Sequence, residues 1–126
     1  MRLSFSERRK ILKAANYLEL TPLRLKGEEI TEENLVNIII PKFQNKFAAR
    51  FVVPYMKSPI IKLKLDELGS AAWMLIDGKR KVAEIAQLLL EKFGDKIEPV
   101  NERLTKFLTG LYEQQFIIFQ EINKGD

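Results

Sequence analysis

Residues 66–113 contain three consecutive segments with the apolar periodicity of amphipathic helices. Asp66 is a suitable N-cap for a first helix over 66–76, which ends at an Asp-Gly pair. A second helix is predicted over 82–93, and a third over 99–113, where proline is favoured in the first turn. The side chains predicted to face the core are Leu68, Ala72, Leu75, Ile76, Val82, Ile85, Ala86, Leu89, Phe93, Val100, Leu104, Phe107, Leu108 and Leu111.

Three strand-like runs precede these helices, at residues 35–40, 47–53 and 60–65. The first two each stop at a proline, and the first is rich in β-branched residues. Three strands followed by three helices predict an α+β chain, with a three-stranded antiparallel sheet before a three-helix bundle. A further short strand-like run lies at residues 116–119.

The third run has the alternation of a strand with one wet face. Ile61, Leu63 and Leu65 are predicted to face the core, whereas Lys62 and Lys64 are predicted to face solvent.

The first third of the chain is less regular. A helix is predicted over residues 4–15, an extended segment over 17–22 and an acidic turn over 27–34. The predicted divisions of the chain are an N-terminal helical extension at 1–34, a domain at 35–119 and a tail at 120–126.

Composition narrows the chemistry, because the chain contains no cysteine and no histidine. Zinc and iron–sulfur sites, thiol nucleophiles and imidazole-based triads are excluded, which leaves carboxylates, lysines, hydroxyls and tyrosines for catalysis. This narrow set makes an enzyme less favoured, and we expect no cofactor and no enzymatic activity. The sequence has no long apolar run and no apolar signal core near Met1, which predicts a cytoplasmic protein without a membrane span. The net charge of +4 permits an acidic partner.

The ordered elements resemble those of the PqqD family. The stretch over residues 65–78, which begins Leu-Asp and closes on Asp-Gly, is similar to the strand end and first helix of that family. Residues 81–86 resemble its second-helix start, residues 104–112 its last helix, and residues 116–118 its closing apolar run.

The resemblance implies a winged-helix-like peptide chaperone. PqqD binds the precursor peptide of pyrroloquinoline quinone and presents it to a radical SAM enzyme, and related RiPP recognition elements hold other leader peptides. In the family the leader adds as a strand against the third strand, beside the last helix. Carried onto this chain, the expected peptide-binding residues are Ile60, Ile61, Lys62, Leu63, Lys64, Leu65, Asn101, Arg103, Leu104, Lys106, Phe107, Gly110 and Leu111.

The expected partners are therefore a leader peptide and a radical SAM or other peptide-modifying enzyme. Glycine at position 110 would allow close approach of the peptide, and Lys62, Lys64, Arg103 and Lys106 would suit an acidic leader. The chain departs from the family in the segment of about thirty residues before its first strand, which would pack over the groove or form a homodimer contact. It also departs in the basic turn at residues 79–81.

Two alternatives remain open. The first is a nucleic-acid-binding winged helix, but the third helix is nearly neutral, whereas reading nucleic acid normally requires a basic face. A nucleic-acid partner is therefore not expected. The second is a structural family member whose groove is covered by residues 1–34.

Overall fold

The computed structural model describes residues 6, 16–42 and 59–122 of the chain. The described residues have an α+β fold, with a three-stranded antiparallel sheet followed by three helices, which confirms the expected fold class. Apart from Ser6, the predicted helix over 4–15 lies outside the described residues, as does the predicted strand over 47–53. The elements are β1 (Pro22–Arg24), β2 (Gly27–Ile30), β3 (Val36–Pro41), β4 (Ile60–Lys64), α1 (Glu67–Leu75), α2 (Val82–Phe93), α3 (Val100–Glu113) and β5 (Ile117–Phe119), with 3₁₀ turns at Tyr17–Glu19 and Gly94–Ile97.

The chain divides into two compact units. The sheet unit is Lys26–Ser70, and the helical unit combines Met1–Leu25 with Ala71–Asp126.

The sheet unit has the strand order β2-β3-β4, and both strand pairs are antiparallel. Residues 27–30, predicted as part of an acidic turn, instead form β2, and the turn itself occupies the residues that follow. There Asn34 adopts φ 64°, and the Thr31 side chain accepts a hydrogen bond from the Leu35 amide. The charged residues of β2 give no strand pattern in the sequence. Its strand conformation depends on pairing with β3, which local sequence does not show.

The core of the sheet unit lies on β3. Val36 is 1% exposed and Ile38 is fully buried, as the β-branched run of β3 predicts. The Val36 amide donates to Ser70 Oγ at 2.8 Å, and its carbonyl accepts from the Leu65 amide at 2.9 Å. These bonds attach the end of β4 and the first turn of α1 to β3.

The helices begin and end close to the residues that their sequence signals predict. Asp66 Oδ1 accepts a hydrogen bond from the Gly69 amide at 2.7 Å, which confirms the predicted N-cap. Gly78 adopts φ 77°, and a Cβ atom there would lie 2.8 Å from Leu23 Cδ1, so this turn requires glycine. The fully buried side chains of the helical unit include Trp73, Ile76, Val82, Ile85, Leu108, Tyr112, Ile117 and Phe119.

The helical unit also contains a two-stranded sheet in which β1 pairs with β5. Within the segment predicted to be extended, Tyr17–Glu19 forms a 3₁₀ turn instead. The chain then becomes extended, and the carbonyls of Leu20, Thr21 and Pro22 accept hydrogen bonds from Val82, Gln120 and Gly78, respectively. Leu20, only 4% exposed, is thus part of the core.

None of the helices within residues 16–42 and 59–122 has the length and apolar character needed to cross a membrane. Nor does this part of the chain bring together three acidic side chains as a potential metal site.

Candidate functional site

The sequence-predicted strand residues lie on β4 and just after it, at one edge of the described three-stranded sheet. Lys62 and Lys64 are exposed, as predicted. However, the prediction that Ile61 and Leu63 face a covered core is wrong, because they are 50% and 39% exposed. Alternation shows which side chains share a face of a strand, but it does not show whether that face is covered. β4 therefore presents apolar side chains on one face and lysines on the other.

The ladder between β3 and β4 shows where the backbone groups of β4 point. The Lys42 amide donates to the Pro59 carbonyl, and the Leu65 amide to the Val36 carbonyl. In an antiparallel ladder hydrogen-bonded pairs recur at every second residue, which directs the backbone groups of residues 61 and 63 toward β3.

The intervening residues on β4 point the other way. The N–H and C=O groups of Lys62 and Lys64 are directed away from β3. Among the residues the structure describes, no strand lies on that side of β4. We call this row of backbone groups the outer edge of β4.

On the lysine face, Glu29 connects the three strands of the sheet unit. Its Oε1 atom accepts a hydrogen bond from Asn37 Nδ2 at 2.9 Å and lies 3.1 Å from Lys62 Nζ. Hydrogen bonds from Asn37 and then from Lys62 lower the pKa of the Glu29 carboxyl group. Lys62 is thus paired with a carboxylate, whereas Lys64 forms no ion pair with any described residue.

The sequence-predicted helix residues lie on α3 and differ in their exposure. Leu104 and Leu111, at 3% and 5% exposed, belong to the core, so their side chains support the helix and offer no surface to a ligand. The Arg103 guanidinium donates to the Lys96 carbonyl at 2.7 Å, which ties this side chain to the preceding 3₁₀ turn. The remaining predicted residues are Asn101, Lys106 and Gly110, which are exposed, and Phe107, which is half-buried.

A different face of α3 is in contact with the N-terminal part of the helical unit. The Tyr17 hydroxyl donates to the Thr105 carbonyl at 3.1 Å and lies 2.9 Å from Thr109 Oγ1. Thr105 and Thr109 are four residues apart and share one face, whereas Arg103, Phe107 and Gly110 share another. This contact is not among the sequence predictions. The two threonines beside the apolar stripe of α3 were the one feature of the sequence that could have indicated it.

The helical unit also contains a surface cavity of about 260 Å³. Of the sequence-predicted site residues, only Asn101 lines it. Its other lining residues are Leu18, Ala83, Ala86, Gln87, Leu90 and Val100.

The structure thus groups the predicted site residues into two sets. The strand set, Ile60–Leu65, belongs to the sheet unit, and the helix set, on α3, belongs to the helical unit.

An exposed edge strand carries unpaired backbone N–H and C=O groups, the feature that extended peptides use when they add to a sheet in other proteins. Residues 61–117 match the model of the family described as coenzyme PQQ synthesis protein D (PqqD). This match confirms the resemblance to that family over residues 61–117. The matched segment begins in β4 and ends at the first residue of β5. No curated protein and no solved structure shows a significant match to the chain.

Proposed function

We propose that the chain is a non-catalytic peptide-binding module that holds the leader of a ribosomally made precursor peptide as an added strand on β4. It would present this peptide to a modifying enzyme, a radical SAM enzyme or one of another class. The observation that carries the proposal is β4 itself, whose outer edge is combined with the exposed side chains of Ile61 and Leu63. The family match adds the context of PQQ biosynthesis.

Strand addition explains why such an edge would be useful. A peptide that lies along β4 satisfies the outward N–H and C=O groups of Lys62 and Lys64, and these main-chain bonds require no particular peptide sequence. Burial of Ile61 and Leu63 by apolar peptide side chains adds hydrophobic free energy, at about 25 cal/mol for each Å² of apolar surface covered. The same exposed features would promote aggregation if they had no partner.

The helix set is a separate part of the proposal. Lys106 and Gly110 are exposed on α3, while Arg103 is already bonded to a backbone carbonyl. We therefore expect Lys106 and Gly110 to matter more for ligand binding than Arg103 does.

The test is a titration of the ¹⁵N-labelled full chain with synthetic peptides that cover the leaders encoded by short reading frames beside its gene. We expect the largest amide shifts at residues 60–65. A variant with Ile61→Glu and Leu63→Glu should bind at least tenfold more weakly, because two carboxylates would replace the apolar contact surface.

Ile30 offers a matched control. It is 53% exposed, and the strand registers place it on the same face of the sheet as Ile61, but on the opposite edge strand. Ile30→Glu should leave the affinity unchanged. Equal losses from both variants, or amide shifts confined to residues outside 60–65, would contradict strand addition at β4. A steep decrease of affinity for duplex DNA with salt, without any peptide binding, would favour the nucleic-acid alternative instead.

A further inference from the structure

The two lysines of β4 stand in different electrostatic surroundings. Lys62 Nζ lies 3.1 Å from a carboxylate oxygen of Glu29, so a negative partner is already in place beside it. Lys64, which is directly opposite Asn37 in the register of β3 and β4, has no carboxylate partner among the residues that the structure describes. With respect to the described residues, an incoming peptide therefore meets one positive charge without a carboxylate partner on this face of β4, at Lys64.

The ladder geometry fixes which peptide residues would meet this charge. A peptide strand bonded to the outward groups of Lys62 and Lys64 places the two residues opposite them on the lysine face of the sheet. The residues opposite Ile61 and Leu63 fall on the apolar face, because successive side chains of a strand alternate between faces. Both existing strand pairs of this sheet are antiparallel, and a peptide that continues the pattern runs antiparallel to β4.

We infer that β4 selects peptides with the pattern acidic–apolar–any–apolar, in which the acidic residue lies opposite Lys64 and the two apolar residues lie opposite Leu63 and Ile61. The inference rests on the proposed function and adds the chemistry of the ligand. Opposite charges directly across a strand pair attract, and like charges there repel, so the position opposite Lys64 favours Asp or Glu over Lys or Arg. The position opposite Lys62 carries no such preference while Glu29 is present.

The test is selection from a displayed library of random peptides on the immobilised full chain. We expect the enriched peptides to contain Asp or Glu immediately before an apolar residue, with a second apolar residue two positions later. Selection on Lys64→Glu should replace this acidic preference with Lys or Arg. Lys79→Glu, with the same change of charge at an exposed residue of the helical unit, should leave the pattern unaltered.

A second variant tests the role of Glu29. Glu29→Gln removes the carboxylate beside Lys62 and leaves that lysine uncompensated. Selection on this variant should enrich a second acidic residue, two positions after the first.

Affinity measurements then give the size of the effect. For one enriched peptide, replacing its acidic residue by lysine should weaken binding to the unmodified chain by roughly 1.4-fold to fivefold, the range expected for a cross-strand charge pair. The same replacement should strengthen binding to Lys64→Glu. Thermal unfolding of each variant is the control, and we expect every variant to unfold at nearly the same temperature as the unmodified chain.

The outcomes separate the inference from the proposed function. Enriched peptides that shift the amides of β4 but lack an acidic preference, or keep it in Lys64→Glu, would overturn the inference and leave the proposed function standing. Enrichment of no peptide, or of peptides that bind elsewhere on the chain, would overturn both.

Discussion

The hydroxyl group of Tyr17 lies 2.9 Å from Thr109 Oγ1, which joins the segment before β1 to α3 across 92 residues of sequence. The same hydroxyl donates to the Thr105 carbonyl, and the Tyr17 ring packs edge-on against Phe119 with the ring centroids 5.5 Å apart. Residues before β1 are therefore part of the helical unit.

Removal of the Tyr17 hydroxyl should destabilise the helical unit. We expect Tyr17→Phe to lower the free energy of unfolding by about 0.5–1.5 kcal/mol, because the ring contact remains while the hydrogen bonds are lost. Chemical denaturation at neutral pH measures this difference. Thr109→Val is the companion variant. If both variants are as stable as the unmodified chain, this contact has no structural role.

The same residue should make the fold sensitive to alkali. Desolvation by burial raises the pKa of Tyr17 to about 12, although its hydrogen bond with Thr109 opposes the shift. An unfolded tyrosine titrates near ~10, so the stabilisation is complete below that pH and is lost as the pH rises through the folded value. The phenolate absorbance of the folded protein should contain a late component that is smaller in Tyr17→Phe. An unchanged titration curve would show that Tyr17 is exposed to water.

Deletion of residues 1–34 should abolish folding of the helical unit, and it should not simply uncover a binding surface. This deletion removes β1 and the buried side chain of Leu20, which is 4% exposed, and it also removes β2 from the sheet unit. The single substitution Leu20→Ala should already cost about 2–5 kcal/mol. Circular dichroism during heating measures both effects. A cooperative transition of normal amplitude in the deletion variant would contradict the assignment of these strands.

Local signals in the sequence were sufficient to predict the helices, but they could not predict every strand. Asp66 and Gly78 act within their own turns, and their effects are visible in the sequence without knowledge of the remaining chain. The strand-like run at residues 116–119 correctly predicted β5. The pairing of Pro22 with Phe119 joins two three-residue strands from opposite ends of the chain, and no local pattern predicts that these two strands pair.

The candidate site shows the same division between local and long-range information. The alternation in β4 correctly distinguished its two faces, but it predicted a covered apolar face where Ile61 and Leu63 are exposed. The link from Glu29 to Lys62 could not be predicted at all, because it depends on the order of the three strands and on their register.

Acid should weaken the connection between the two ends of the helical unit. Glu121 accepts hydrogen bonds from the Thr21 amide and hydroxyl at 2.7 and 2.6 Å. Partial burial disfavours the charged carboxyl group, but these hydrogen bonds outweigh it and lower the pKa of Glu121. Its stabilisation is therefore present above the unfolded pKa of about 4.3 and is lost as the pH falls through the lower folded value.

Urea denaturation between pH 3 and pH 6 measures this dependence on acid. We expect the decrease of the urea midpoint toward low pH to be smaller in Glu121→Gln than in the unmodified chain. Glu91→Gln, at an exposed position on α2, serves as the control and should retain the full decrease. The same pH dependence in all three proteins would contradict a role for the Glu121 carboxylate.

Gly110 should be dispensable for folding. No atom lies within 4 Å of the position that a Cβ would occupy, and Gly110 is in the interior of α3. Gly110→Ala should therefore stabilise the chain by about 0.5–1 kcal/mol, because alanine loses less backbone entropy in a helix. If a peptide approaches this residue closely, the same variant binds it more weakly. Increased stability with unchanged affinity would remove Gly110 from the proposed site.

Proline substitutions along β4 should distinguish its inward from its outward backbone groups. The Leu63 amide is directed toward β3, so Leu63→Pro removes a bond of the ladder and should cost about 1–3 kcal/mol. The Lys64 amide is directed toward the outer edge, where proline is tolerated in a strand. Lys64→Pro should therefore leave the unfolding temperature nearly unchanged. It should reduce peptide affinity more than Lys64→Ala does, since only proline removes the backbone donor as well as the charge.

Thermal unfolding and a peptide titration of the three variants measure both quantities. The opposite order, with Lys64→Pro unfolded and Leu63→Pro stable, would show that the register assigned to β3 and β4 is shifted by one residue.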